Sequence, residues 1–258
     1  MIKPKKSLGQ NFLQDPNTIR KIVAALPAPD DAHVVEIGPG LGALTGLLRE
    51  RFRHFTALEV DQRAIRYLHE NHPGVDVRHQ DVLSTNWAAL KAEHNAPLYV
   101  IGNLPYYITT PILFGLLDAH TYLEAAILMM QKEVADRLVA PPRTKTYGTL
   151  SVQTQLWSTP KLMFKVSPNV FFPKPGVDSA IVRLTFDVAP PDFSRDAVST
   201  VVRAAFNQRR KTLHNSLSAW TRERGLLLPE SWAKLRADAV PPDLFVEITR
   251  YLMAHDAE

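Results

Sequence analysis

The sequence predicts an α/β protein: a doubly wound, mostly parallel sheet of seven strands, followed by a small all-α C-terminal domain. Three observations predict it. Residues 34–61 read as a buried strand, a glycine-punctuated loop, an amphipathic helix and a second strand, which is half of a nucleotide-binding unit. Short apolar runs at residues 75–79, 98–102 and 125–131 then alternate with helical patterns, as a parallel sheet with crossover helices requires. Beyond the proline-rich stretch at residues 189–192 the apolar spacing is helical throughout. The expected boundaries are therefore residues 1–188 and 189–258.

The first unit also narrows the ligand. Val34, Val35 and Ile37 form the strand, Gly38, Gly40 and Gly42 the loop, and Leu44, Leu47, Leu48 and Phe52 the helix, with Glu59 closing the second strand. So tight a strand-to-helix turn needs residues without a Cβ, and a ligand then approaches bare backbone. A pyrophosphate cradle has the spacing G-x-G-x-x-G. Here it is G-x-G-x-G, with Glu36 just upstream, and a carboxylate beside the loop repels phosphate. Glu59 stands where a ribose diol is held by two hydrogen bonds. A ribose without phosphates, joined to a cationic centre, describes S-adenosylmethionine better than NAD. The alternative is a glycine-rich turn that holds no ligand.

Composition excludes other classes. The chain has 258 residues, 45% of them hydrophobic, enough for a large core. It has no cysteine, so disulfides and thiolate metal sites are ruled out, and its nine histidines show no zinc spacing; no metal is expected. No segment approaches the roughly 20 apolar residues that cross a bilayer. The basic start lacks the apolar core of a signal peptide, so a cytoplasmic address is expected. The net charge of +4 is unevenly spread: residues 1–21 carry a surplus of +4, residues 195–224 one of +5, and the remainder is −5. Two separated basic patches suit a polyanion; solvated helix faces are the alternative.

In chain order, Asp15-Pro16 opens a helix that carries Ile19, Ile22, Val23 and Leu26 and stops at Pro27. The arm ahead of it is placed either over the cofactor pocket or against the sheet. Helices are expected at residues 64–70 and within 85–97. Asp81 follows the third strand, on the edge where an adenine amine finds an acceptor; a helix cap or turn is the alternative. Helices follow at 109–117 and 132–139. Residues 140–148 form a loop whose Arg143, Lys145 and Tyr147 suit a nucleic acid backbone. Residues 150–156 and 179–186 read as an antiparallel hairpin that completes the sheet.

The most informative tetrapeptide is Asn103-Leu104-Pro105-Tyr106, directly after the strand at 98–102. The exocyclic amine of adenine is a weak nucleophile because its lone pair is delocalised into the ring. Accepting hydrogen bonds from both amine hydrogens localises that pair. Asn103 supplies one acceptor, and the carbonyl of Leu104, held extended by Pro105, supplies another. Tyr106 offers a ring for a flipped base. In Asn169-Val170-Phe171-Phe172-Pro173-Lys174-Pro175 the spaced prolines stiffen the backbone, and Phe171 is chosen as the second stacking wall with Phe172 as the core residue. In the C-terminal region Val198, Val202, Ala205, Leu213, Leu217 and Trp220 fall near one helical face, interrupted by Arg209-Arg210-Lys211. Helices are expected again at 231–237 and 243–254. So small a domain is expected to lean on the larger one.

Taken together, SLGQNFL, EIGPGLGALT, ALEVD, HQDVL, IGNLPYYITTP, MMQKEVADRLVA, KTYGTLSV, FFPKPGVDSAIVRL and AFNQRRKTLHNSL resemble the ribosomal RNA adenine dimethyltransferase family, its small-subunit branch in particular. The resemblance implies a Rossmann-like class I methyltransferase fold and S-adenosylmethionine as cofactor. It implies cofactor contacts from Asn11, Leu13, Gly38, Glu59, Asp81 and Asn103. Asn103, Leu104, Pro105 and Tyr106, with Phe171, form the catalytic set, and Arg143, Lys145, Arg209, Arg210 and Lys211 meet RNA. The implied reaction is two methyl transfers to each of two neighbouring adenosines near the 3′ end of small-subunit RNA. The implied partner is the small ribosomal subunit, with a part in its late assembly; no membrane is involved, and the protein is a monomer. Thr149 stands where the family pattern has arginine and Gly176 where it has lysine, which puts RNA contacts there in question but not the chemistry. Large-subunit RNA methyltransferases, DNA adenine methyltransferases and a non-catalytic assembly factor are the rival readings. An NAD oxidoreductase is disfavoured by the loop spacing.

Overall fold

The computed structural model describes residues 4–5, 9–189, 191 and 193–254. Lys3, Lys6, Ser7, Leu8, Pro190 and Asp192 therefore lie outside the described residues. The chain falls into two compact units, residues 1–135 with 159–187, and residues 136–158 with 188–258. The division differs from the expected one in residues 136–158, which join the C-terminal helices through packing that no local pattern encodes.

The first unit holds β1 (Phe12–Leu13), α1 (Pro16–Ala24), β2 (His33–Ile37), α2 (Thr45–Arg51), β3 (His54–Glu59), α3 (Gln62–Asn71), β4 (Asp76–His79), α4 (Trp87–His94), β5 (Leu98–Asn103), α5 (Thr109–Asp118) and β6 (Ala125–Gln131). The helix α6 (Lys132–Leu138) leads into the second unit, which begins with α7 (Thr149–Trp157). The chain then returns to the first unit as β7 (Thr159–Val166), β8 (Phe171–Phe172) and β9 (Ser179–Thr185). The rest of the second unit is α8 (Arg195–Asn207), α9 (Leu213–Ser216), α10 (Ser218–Glu223), α11 (Glu230–Ala233) and α12 (Pro242–Met253).

The main sheet has seven strands in the order β4-β3-β2-β5-β6-β9-β7. The five from β4 to β6 are parallel, and β9 runs antiparallel to both β6 and β7. Every residue of β2 is buried, as befits a central strand covered on both faces. The edge strands β4 and β7 expose much of their length and carry Arg78, Lys161 and Lys165, charges that discourage edge-to-edge pairing. Local chemistry sets the helix starts. Asp15 accepts from the Thr18 N–H ahead of Pro16, and Asp61 from the Arg63 N–H at the start of α3. Among the described residues no helix is long and apolar enough to cross a membrane.

The expectation for residues 150–156 is wrong: they form α7, and the outer hairpin strand is β7 at Thr159–Val166. The alternation of Leu150, Ser151, Val152 and Gln153 mimics a strand because the polar positions are buried too. Ser151 accepts from the Gly148 N–H and donates to the Arg137 carbonyl, and Gln153 donates to the Ser199 hydroxyl. A helix buried nearly all round shows no 3.6-residue polarity stripe.

Candidate active site

Strand order reverses direction about β2 and β5, the switch point at which doubly wound sheets bind ligands beyond their carboxyl ends. A cavity of about 730 Å³ opens there, inside the first unit. The glycine loop forms its floor: Gly38 and Gly40 adopt φ of +63° and +57°. Nothing lies within 4 Å of the place a Cβ of Gly38 would take, whereas one on Gly40 would press on the Phe12 ring at 3.2 Å. The loop is closed by Glu59, whose Oε2 accepts from the Gly40 N–H at 3.0 Å and whose Oε1 accepts from the N–H groups of Val60 and Asp61.

Glu36 is the second buried carboxyl. It takes a 2.7 Å hydrogen bond from Thr45, and burial, with Glu59 nearby, pushes its pKa up to about 8. Asp81 stands at the rim, where its carboxylate caps the turn that follows by accepting from the Leu83 N–H. The cavity lining thus contains Glu36, Glu59 and Asp81 and, among the described residues, no lysine, arginine or histidine. Such a lining repels phosphates and accepts a cation, which suits a sulfonium nucleoside.

Asn103 ends β5 at the mouth of this cavity. Its Nδ2 donates to the Asn11 carbonyl at 3.1 Å, so its oxygen is the end of the amide that can accept. The Leu104 N–H donates to the Met129 carbonyl on the neighbouring strand, and Pro105 is extended at φ −59°, ψ 129°. The Tyr106 hydroxyl is hydrogen bonded to that of Ser179 on β9 at 2.7 Å, which holds the half-buried ring in place, and burial raises its pKa.

The comparisons decide the family. The model of the ribosomal RNA adenine dimethylase family matches residues 1–253. The chain belongs to that family. It is 54% identical to the ribosomal RNA small subunit methyltransferase A of Salinibacter ruber, over 98% of this chain and 86% of the relative. It is 43% identical to the protein of the same name from Chlorobaculum parvum, over 99% and 92%. Among solved structures, a dimethyladenosine transferase from Plasmodium falciparum shares the fold, with a TM-score of 0.78 at 23% identity over 95% of this chain and 98% of that one. The 23S rRNA methyltransferase ErmE matches with a TM-score of 0.68 at 28% identity, over 94% and 100%. As a member of the dimethylase family the chain is an rRNA adenine dimethyltransferase, and its cofactor is S-adenosylmethionine.

All six residues expected at the cofactor, Asn11, Leu13, Gly38, Glu59, Asp81 and Asn103, line this one cavity, as do Leu104, Pro105 and Tyr106. Phe171 does not. It is 5% exposed and belongs to the core beneath β1, while Phe172 is 51% exposed. The expected roles of the two rings are thus exchanged with respect to burial. The reason is register: β8 pairs with β1 so that Phe171 opposes Leu13 and Phe172 opposes Phe12, and neighbouring residues of a strand face opposite ways. Tyr147 is also corrected. It is fully buried in the second unit, where its hydroxyl donates to the Val240 carbonyl at 2.7 Å, so it is a core residue rather than an RNA-facing ring.

The basic residues gather within the second unit. Arg209, Arg210 and Lys211 occupy the turn between α8 and α9 rather than a continuous helix. Arg209 donates to the carbonyls of Thr144 and Lys145 at 3.2 and 2.8 Å, which joins this turn to the loop of Arg143 and Lys145 in one exposed cationic patch. Sequence reasoning missed Gly102, Ser179 and Asp61. Gly102 alone had a signal, a glycine at the last strand position before Asn103.

Proposed function

We propose that the protein dimethylates two neighbouring adenosines near the 3′ end of small-subunit rRNA and that it binds the assembling small subunit to do so. The observation that carries the reading is Asn103 in the lining of a cavity with three acidic residues, its amide nitrogen held by the Asn11 carbonyl so that its oxygen is the end able to accept. The names of the relatives, at 43% to 54% identity over nearly the whole chain, support the small subunit as substrate.

Bound S-adenosylmethionine supplies a methyl group on a positively charged sulfur. Glu59 would take the ribose hydroxyls and Asp81 the adenine amine, Asn11 and Leu13 would contact the cofactor from the N-terminal arm, and Gly38 would lie under its methionine part. On the RNA side, Asn103 Oδ1 and the Leu104 carbonyl would accept the two hydrogens of the target amine and so turn its lone pair toward the methyl group. Tyr106 would support the flipped base. The surplus proton left on the methylated nitrogen would pass to water, so no strong general base is required. Rate enhancement comes from orientation and polarisation. Arg143, Lys145, Arg209, Arg210 and Lys211 take the RNA backbone. We read the protein as a monomer that works in the cytoplasm.

The deciding experiment offers labelled S-adenosylmethionine with unmethylated small subunits, large subunits or DNA, and maps the label by mass spectrometry. Label confined to adjacent small-subunit adenosines is expected; label on large subunits or DNA instead overturns the substrate. Asn103→Ala should abolish transfer while cofactor affinity stays within about threefold, since the amine loses its acceptor and the other cofactor contacts remain. Unchanged turnover refutes the role of Asn103.

A further inference from the structure

The Asn103 amide has two unlike ends, and only its oxygen end can accept from an amine. What turns it is the Asn11 carbonyl, which receives the Nδ2 hydrogen. That carbonyl belongs to an arm tied down on both sides. Toward the C-terminus, β1 pairs with β8, and the Gln14 N–H donates to the Val170 carbonyl at 2.8 Å. Toward the N-terminus, the tie is Gln10, with both ends of its amide engaged. Its Oε1 accepts from the Lys5 N–H at 2.9 Å, and its Nε2 donates to Asp61 Oδ2 at 3.1 Å.

Asp61 is 3% exposed and is not among the residues that line the cavity. Its own N–H is fixed on Glu59, and its carboxylate is fixed by the Arg63 backbone N–H, Nε and Nη2 at 3.1, 3.0 and 2.6 Å. Lys5 Nζ stands 3.8 Å away. A buried carboxylate so fully held is a rigid post, and it meets the arm through the hydrogen bond from Gln10 and the longer ion pair with Lys5.

We propose that Asp61 is a positioning residue for methyl transfer: through Gln10 it holds the Asn11 carbonyl where it keeps the Asn103 oxygen facing the target amine. The proposal rests on the reading of Asn103 as the amine acceptor. With the post removed, the arm still pairs with β8, but the Asn11 carbonyl drifts and the Asn103 amide turns over, presenting NH2 to NH2. Loss then falls on the chemical step. A plain lid over the cofactor would instead show its loss in cofactor KM.

The test uses the full chain, labelled S-adenosylmethionine and unmethylated small subunits, with kcat and cofactor KM measured separately. Gln10→Ala should lower kcat about tenfold or more at saturating substrates and change cofactor KM less than about threefold, since small misplacements of a catalytic group are costly. Gln10→Glu sets carboxylate against carboxylate and should do the same. An unchanged kcat in either variant, or a loss wholly in KM, overturns the proposal. Asn103→Ala runs alongside: if active, it overturns the reading of Asn103 itself, and if inactive beside an unaffected Gln10→Ala, only the role of Asp61 falls.

Discussion

At the scale of single residues, the site is governed by its carboxyl groups, of which Glu36 and Glu59 are buried. Folded Glu36 keeps its proton up to about pH 8 because burial penalises the charge, while an unfolded chain gives it up near the ordinary value of 4.5. Between those values the folded state binds the extra proton, so the contribution of Glu36 to stability falls as pH rises. Glu36→Gln preserves an acceptor for Thr45, and its stability relative to the parent should therefore climb from about pH 5 to pH 8, measured by urea denaturation across that range. A cationic donor in the cavity draws the same proton away. Cofactor binding should release a proton from the parent near neutrality and not from Glu36→Gln, readable by calorimetry in buffers of different ionisation enthalpy. Glu36 was legible beside the glycine loop, Glu59 at the end of the second strand and Asp81 after the third, but the burial that raises Glu36 belongs to the packed sheet.

At the scale of elements, strand pairing delivers each side chain to the site. Gly102 pairs with Ile37 across β5 and β2, and a Cβ at Gly102 would stand 2.7 Å from the Ile37 carbonyl oxygen. That oxygen is strand backbone and cannot step aside cheaply. Gly102→Ala should cost about 1–3 kcal/mol of stability, seen in thermal denaturation, and lower turnover further by displacing Asn103. The parallel strands were readable from their apolar runs, and Asp15 with Pro16 announces a helix start by local chemistry alone. Residues 150–156 were not readable, because Ser151 and Gln153 find buried partners and erase the polarity difference on which periodicity depends. Phe171 and Phe172 failed for another reason: adjacent strand residues face opposite ways, and only the register of β8 on β1 says which ring enters the core.

At the scale of the whole molecule, charge is partitioned by chemistry. Acidic groups line the cavity of the first unit, and the second unit carries the joined patch of Arg143, Lys145, Arg209, Arg210 and Lys211. Arg209 fastens the two basic segments through backbone carbonyls, so its removal would disturb structure as well as charge. The cleaner test replaces Arg210 and Lys211 by glutamine: RNA binding should weaken, and the slope of log affinity against log salt should flatten by about 1–2, measured by filter binding over a salt series. An unaltered slope would remove both residues from the RNA contact.

The sequence by itself determined the order of most elements, the glycine loop with its carboxylates and the Asn103–Tyr106 loop, because caps, apolar periods and short motifs act through neighbours along the chain. Tertiary structure alone decided which phenylalanine is buried, where residues 136–158 pack, how Ser179 holds Tyr106 and how Gln10 links the arm to Asp61. Those are pairings between segments far apart along the chain, Phe171 with Leu13 the most distant of them, and their partners are chosen by tertiary packing rather than by any local preference of the chain.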